Sequence, residues 1–475
     1  MFSESNSGTT FSYKAAGQIS TMISGLNTLD TLHSLLRHPH VSREEIVAFQ
    51  NKRLRRLIAH AYENVPYYRR LFDRNGIKPN DIQSVADLPL IPTTTKKEMQ
   101  SLPPEEVVAR GVNPQNLIAR RTSGSSGLIS IIRHTWLEDR LLSLFRLRAM
   151  HYFGQRPTDR VARVGLVWPT HPRDKQLPMQ ILQAMGLYRM VLINRLLPPE
   201  NIIHTLRYFR PDILNGPPGV LSRLAQIIND EDRLVIRPRF IRASGEVLTP
   251  LMRGKITESF ETTVFEIYTN REFGVIAWEC KETGELHTSD DSIIIEVLKD
   301  GRPAVIGERG EVVGTGLHSF AMPFIRYNLG DIVTKGFETC RCGRSFSTIR
   351  AIQGRMLDYF PLPGGRLIHP YEISLLFTNS ASWMCQYQLT QEREDYIIMR
   401  VVSSDTPTPQ ELAGLIESVR TLLGQGVEFR VIFVPEIQLE PSGKFRVSRS
   451  LVKSAYDGIE WDNQQTTGPR SSNSS

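Results

Sequence analysis

The sequence predicts an α/β protein: a large N-terminal α/β unit of several subdomains followed by a small α+β unit. Three observations carry this. Between residues 137 and 268, apolar runs rich in β-branched residues alternate with stretches of helical periodicity, the pattern of βαβ units around a largely parallel sheet. From 265 to 332 the texture changes to short strands broken by glycine-containing turns such as Lys281-Glu282-Thr283-Gly284-Glu285, which reads as an added β region. After Gly354 a strand, helix, strand pattern suits a compact unit of about 100 residues.

In chain order, residues 1–40 begin with a Ser/Thr/Gly-rich stretch and are expected to be mostly flexible. Residues 42–64 form a helix, because Ile46, Val47, Leu54, Leu57, Ile58 and Ala61 recur on one face and Pro66 stops the pattern. A shorter helix follows at 67–75. Strands are expected at 160–168, 190–193, 234–243 and 263–268, with helices at 137–153, 177–185, 198–208 and 219–229 between and before them. The small unit has strands at 396–402 and 427–434 around a helix at 409–423. The polar residues 456–475 read as a disordered tail. These readings divide the chain into a large domain over 41–353 and a small one over 354–455.

Composition narrows the function classes. At about 100–200 residues per domain, a chain of 475 predicts two or three domains. Hydrophobic residues at 40% and charged residues at 23% exclude a disordered chain or a fibre. The formal charge of +7 suits anionic small-molecule partners, and a merely solvated basic surface explains it equally. Nucleic acid is not an expected partner, since the basic runs at 53–56 and 237–239 are short and lack interleaved aromatics. No apolar run approaches the roughly 18 residues of a membrane span, and no secretory signal opens the chain. A cytoplasmic location is the default expectation.

Four motifs carry chemistry. The loop Thr122-Ser123-Gly124-Ser125-Ser126-Gly127 combines glycines that bend the backbone with hydroxyl donors that can wrap a polyphosphate; taken alone, it reads first as a flexible Ser/Gly hairpin turn. Glu272, just beyond an apolar run, lies where open α/β sheets bind ligands and can hold Mg²⁺, or be a surface acid. Asp331 in a Gly-Asp turn can accept both ribose hydroxyls, or form an Asx turn. Lys444 in Pro441-Ser442-Gly443-Lys444 is a turn lysine near the C-terminal end.

Taken in this order, with LRRLIAHAYENVPYY at 54–68 and SVADLPLIPTTTKKEM at 84–99, the motifs resemble the adenylate-forming superfamily of acyl-CoA synthetases. The resemblance is sharpest to the phenylacetate-CoA ligase branch and its capsular-polysaccharide-type sub-branch, and covers about residues 40–455. It implies an AMP-forming ligase that uses ATP and Mg²⁺ to activate a carboxylic acid, an aryl acid leading the candidates, with CoA as the favoured acceptor. It makes Thr122 to Gly127 the phosphate loop, Ser244, Gly245 and Glu246 the adenine-side turn, Tyr268 the aromatic beside adenine, Glu272 the magnesium carboxylate and Asp331 the ribose acid. Arg355 matches the arginine after the domain boundary and Lys444 the lysine of the adenylation step, and the small domain becomes a lid. Leu128, Arg271 and Leu357 depart from the usual pattern. They keep two alternatives open: an adenylating ligase with an amine or carrier-protein acceptor, and a nucleotide-binding protein without turnover.

Of the four cysteines, Cys280 with His287 in a predicted hairpin and Cys340 with Cys342 in a later loop form a Cys₃His set suited to structural Zn²⁺, or are packed free thiols. The resembled sub-branch often carries such a set. Cys385 reads as a buried thiol.

Overall fold

The structure, a computed structural model, describes residues 31–121, 131–165, 182–355, 360–368, 370–377, 381, 383–438, 440 and 445–452. The helix Arg43–Asn64 starts where Ser42 and Glu45 cap each other's backbone reciprocally, and it buries Ile46, Gln50, Leu54, Leu57, Ile58 and Ala61. Pro66 opens the next helix, Pro66–Arg74. Residues 31–40, expected to be flexible, are helical: Leu35 packs with Leu144 and Phe145, and His38 Nδ1 lies 2.7 Å from Asp291 Oδ2. Anchors more than 100 residues away in sequence order this segment, and its own composition does not show them.

A hairpin of β1 (Ile118–Arg121) and β2 (Ile131–His134) precedes the helix Trp136–Tyr152, which starts on a Thr135/Glu138 capping box. The main sheet then assembles from β3 (Val161–Gly165), β4 (Met190–Asn194), β5 (Ile213–Gly216), β6 (Phe240–Ser244), β7 (Thr263–Asn270), β8 (Gly274–Glu279), β9 (Leu286–Thr288), β10 (Ile293–Lys299), β11 (Arg302–Pro303), β12 (Arg309–Gly316), β13 (Tyr327–Lys335) and β14 (Thr348–Arg355). Its twelve strands run in the order β11-β10-β12-β13-β14-β9-β8-β7-β6-β5-β3-β4. β4, β3, β5, β6 and β7 are parallel, as βαβ alternation predicts, and from β7 to β8 onward all pairings are antiparallel. The β region expected as an addition is therefore continuous with the parallel sheet, because β7 pairs along both edges.

One expected strand is shorter. Residues 230–235 are helical, since Asn229 and Asp232 cap each other, and Pro238, which has no N–H to donate, delays the strand until Phe240. Helices Pro199–Phe209, Pro218–Ile227 and Pro250–Phe260 cover one face of the parallel half through Ala162, Val164, Leu214, Ile241 and Val264. The helix Trp136–Tyr152 covers the other through Val161, Ile213, Phe240 and Ile267.

After the short strands β15 (Phe360–Pro361) and β16 (Leu367–Ile368), β17 (Met384–Arg393), β18 (Tyr396–Ser403), β19 (Glu428–Phe433) and β20 (Ser448–Ser450) build a second sheet in the order β19-β18-β17-β20, packed by the helix Pro409–Leu423. The fold is thus a large α/β domain with a small C-terminal α+β domain. β17, the central strand beside β18 and β20, was not predicted. No helix among the described residues is long and apolar enough to cross a membrane.

Candidate active site

The carboxyl ends of the parallel strands converge on one edge, where open α/β sheets bind ligands. β6 ends at Ser244, and the chain reverses through Gly245 at φ +85°, a backbone region that glycine enters without steric cost. Glu246 follows. Its Oε2 accepts from the Gly219 N–H at 2.9 Å, at the start of the helix Pro218–Ile227, and its Oε1 accepts from the Phe445 N–H at 3.0 Å. A Cβ on residue 219 would lie 2.1 Å from Phe445 Cβ, so only glycine lets the C-terminal segment approach this closely. One carboxylate thus joins the large domain to the residue that follows Lys444.

Tyr268 on β7 is buried and donates its hydroxyl to Asp331 Oδ2 on β13. Glu272, in the turn between β7 and β8, is only 6% exposed, and Tyr327, at the start of β13, donates its hydroxyl to Glu272 Oε1 at 3.3 Å. Burial pushes the Glu272 carboxyl above its ordinary value, with Asp331 adding to that rise and Lys96 opposing it. A buried acid with a second acid nearby suits a divalent cation held by oxygen atoms. The backbone of Arg355 on β14 lies in register opposite Asp331. Tyr268, Glu272, Asp331 and the Arg355 backbone are therefore brought together at the junction of β7, β13 and β14. Ser244, Gly245 and Glu246 stand on the neighbouring β6 edge. Thr122, Ser123, Gly124, Ser125, Ser126, Gly127 and Lys444 lie outside the described residues, as do Leu128 and Leu357.

The cysteine set comes together as predicted. β8 ends beside Cys280, β9 carries His287, and the loop from β13 to β14 brings Cys340 and Cys342. All four ligand atoms lie within 4.8 Å of one another. Cys340 Sγ is 3.8 Å from Cys280 Sγ, and His287 Nε2 is 3.2 Å from Cys342 Sγ. Burial, then Arg344 and Arg148, lower His287 to about 3 and keep it neutral, the form that ligates. Arg344 donates to Cys342 Sγ at 3.3 Å, placing a cation beside the thiol cluster. The donor chemistry and spacing fit a closed tetrahedral site.

The comparisons agree with this architecture. The CapK C-terminal domain family matches residues 362–450. The phenylacetate-coenzyme A ligase of Thermus thermophilus is 26% identical over 370 residues, covering 74% of this chain and 79% of that protein. Protein CapK of Staphylococcus aureus is 23% identical over 428 residues, covering 86% and 90%. A crystal structure of 2-hydroxyisobutyryl-CoA ligase in the postadenylation state superposes with a TM-score of 0.73 at 21% identity, covering 87% of this chain and 91% of that one. These likenesses support the adenylate-forming superfamily, on its phenylacetate-CoA ligase and CapK branch, as the family this chain resembles. In its thioesterification state the same ligase superposes with a TM-score of 0.59 at 21% identity.

Sequence reasoning missed several residues of this candidate site. Tyr327, four residues before Asp331, gives no sign in sequence that it meets Glu272. Gly219 opens the expected helix 219–229, and its close approach to Phe445 depends on a contact 226 residues away in sequence. Arg271 was singled out only as a departure from pattern.

Proposed function

We propose that this chain is an ATP-dependent, AMP-forming acid–thiol ligase. A carboxylate oxygen attacks the α-phosphorus of ATP, pyrophosphate leaves, and the acyl-adenylate then passes its acyl group to the sulfur of CoA as AMP departs. The observation that carries the reading is the convergence of Tyr268, Glu272 and Asp331 on the edge where Glu246 docks the segment that follows Lys444.

In this reading Tyr268 stacks beside adenine with the Ser244-Gly245-Glu246 turn on its other side, and Asp331 accepts the ribose hydroxyls. Thr122 to Gly127 donate to the phosphates, and Arg355 follows the boundary at which the lid turns. Mg²⁺ held by Glu272 would supply positive charge to the phosphoryl oxygens. Lys444 adds a second positive charge where negative charge builds during attack, in a site that excludes water. Glu246, whose carboxylate oxygens accept two backbone N–H groups, acts by positioning the segment that bears Lys444. The Cys280, His287, Cys340, Cys342 set would hold a structural Zn²⁺. The aryl-acid class comes from the resemblance alone. The few cysteines, clustered as ligands, suit a reducing cytoplasm.

Pyrophosphate release from ATP across a panel of acids tests the reaction, and product analysis with CoA or amines identifies the acceptor. Lys444→Ala should lower acyl-adenylate formation by about 10²-fold or more while ATP binding changes little. Full turnover in that variant removes Lys444 from the mechanism.

A further inference from the structure

On the face covered by the helix Trp136–Tyr152, the sheet changes character along its strands. Val161, Ile213 and Phe240, in one row across β3, β5 and β6, pack with Ala149, Met150 and Phe153 in an apolar layer. Two residues further on, the same face presents Arg163, Asn215 and Arg242, in register on those neighbouring strands. Arg242 is 5% exposed and, among the described residues, donates only to neutral partners, Asn215 Oδ1 and, at 3.0 Å, Gln155 Oε1. Above this row the covering helix offers Asp139 and, two turns later on the same side, Arg146. Asp139 is engaged by Arg120 at 2.5 Å. Leu142, between them, packs near Gly274, where a Cβ would lie 3.4 Å from Leu142 Cδ2, and this brings the helix against the turn that carries Arg271 and Glu272.

Arg120, Arg146, Arg163, Arg242 and Arg271 thus gather between this row of the sheet, the covering helix and the turn after β7. Among the described residues, Arg146, Arg163, Arg242 and Arg271 make no ion pair with a carboxylate. Asp159, the other acid near Arg242, is held by Arg239 at 2.5 Å. Burial, then Arg163 and Arg146, lower Arg242 to about 9; Arg146 feels burial, then Arg163, Arg120 and Arg271. Arg146, Arg163 and Arg271 are solvent-exposed and flank the buried Arg242, and Asp139 and Glu272 offset part of the repulsion at Arg146 and Arg271. Gathering like charges around a buried position is unfavourable unless an anion compensates them.

We propose that this cationic layer is the acid-binding pocket and that it selects a carboxylic acid carrying a second anionic group, a carboxylate or a phosphate, at its far end. The inference rests on the ligase reading above. The layer lies one pleat below Ser244 and beside Glu272, so an acid whose reacting carboxylate reaches the strand edge extends its other end between Arg163, Arg242 and Arg146. Tyr268 lies three residues beyond Phe265, the register neighbour of Arg242, and therefore faces the opposite side of the sheet, which separates this layer from the adenine side. An uncharged aryl ring would leave the buried Arg242 uncompensated.

The test is ATP-dependent pyrophosphate release with phenylacetate, 4-carboxyphenylacetate and 4-phosphonophenylacetate, without CoA so that CoA phosphates cannot contribute. The doubly charged acids should exceed phenylacetate in kcat/KM by at least about tenfold. Arg163→Gln, at a solvent-open position tolerant of substitution, and Arg242→Gln should each reduce that ratio about 10- to 100-fold, the scale of a lost charge-assisted hydrogen bond. Equal or better use of phenylacetate overturns the proposal while leaving the ligase reading intact, and so does a ratio unchanged in both variants. If only the CoA-dependent step responds to the variants, the anion belongs to CoA and the proposal fails. If no acid releases pyrophosphate, the ligase reading fails, and calorimetric titration of 4-phosphonophenylacetate decides the site: binding lost in the Arg163→Gln, Arg242→Gln double variant supports it, and no binding to the wild type overturns it.

Discussion

Arg148 and Arg242 are both buried on the side of the sheet covered by the helix Trp136–Tyr152, and their partners differ. Arg148, 2% exposed, donates to Asp291 Oδ2 at 2.5 Å and to the Leu35 carbonyl at 3.3 Å, with the rings of Trp278 and Phe346 about its guanidinium. Asp291 also meets His38. Charge is balanced there, and the network ties the N-terminal helical segment to the sheet. Among the described residues Arg242 meets only amide oxygens, and its charged neighbours are mostly other arginines. A buried cation with its own carboxylate belongs to the fold, whereas one without awaits a ligand.

The largest expected effect tests the compensated side. Asp291→Asn leaves Arg148 buried without its anion and should cost about 3–5 kcal/mol in urea unfolding. A loss below about 1 kcal/mol would mean that Arg148 owes its place to aromatic packing, and the contrast with Arg242 would dissolve. The same pair predicts a pH signature. Burial alone would raise the Asp291 carboxyl, but Arg148 and His38 pull it down to about 2. A depressed carboxyl contributes stability that is present above its unfolded value and lost as pH falls through the folded one. Wild-type stability should therefore decline between about pH 4 and pH 2, and Asp291→Asn should lose that share of the decline.

The thiol cluster lies in the same compensated region, with the Trp278 ring tilted against His287 at 5.6 Å between centroids. Purified protein should carry about one zinc per chain, and Cys342→Ser should lower both zinc content and Tm, by several degrees, because metal binding feeds directly into folding free energy. Metal-free wild type with an unchanged Tm returns these thiols to simple packing.

Between the two extremes stands Glu246, a carboxylate spent on backbone N–H groups. Gly219→Ala should push Phe445 away from it and slow pyrophosphate release by at least about tenfold, equivalent to about 1.4 kcal/mol of barrier, with ATP binding little changed. An unaffected rate would show that the docked pose of this segment is not the adenylating one. The smallest effect should come from the uncompensated side: Arg242→Gln should leave urea stability within about 1 kcal/mol of wild type, or raise it, since it removes charge repulsion. A loss as large as that of Asp291→Asn would make Arg242 structural and break the comparison.

The sequence by itself determined what depends on neighbours along the chain. Ser42, Glu45 and Pro66 bound the first long helix through local hydrogen bonds and a missing N–H, and the alternation of apolar runs with helical stretches required parallel strands. Motif order pointed to the superfamily, and the hairpin around Gly284 placed Cys280 near His287. Tertiary structure alone decided which arginines meet and which find an acid. Arg163 and Arg242 are ordinary strand residues in sequence, and they share a face only because β3, β5 and β6 align in register beneath one helix. Asp291 reaches Arg148 across 143 residues, and Glu246 reaches Phe445 across 199. Local patterns fix backbone conformation because their forces act within a turn or a pleat; charge compensation is settled between segments whose separation in sequence says nothing of their distance in space.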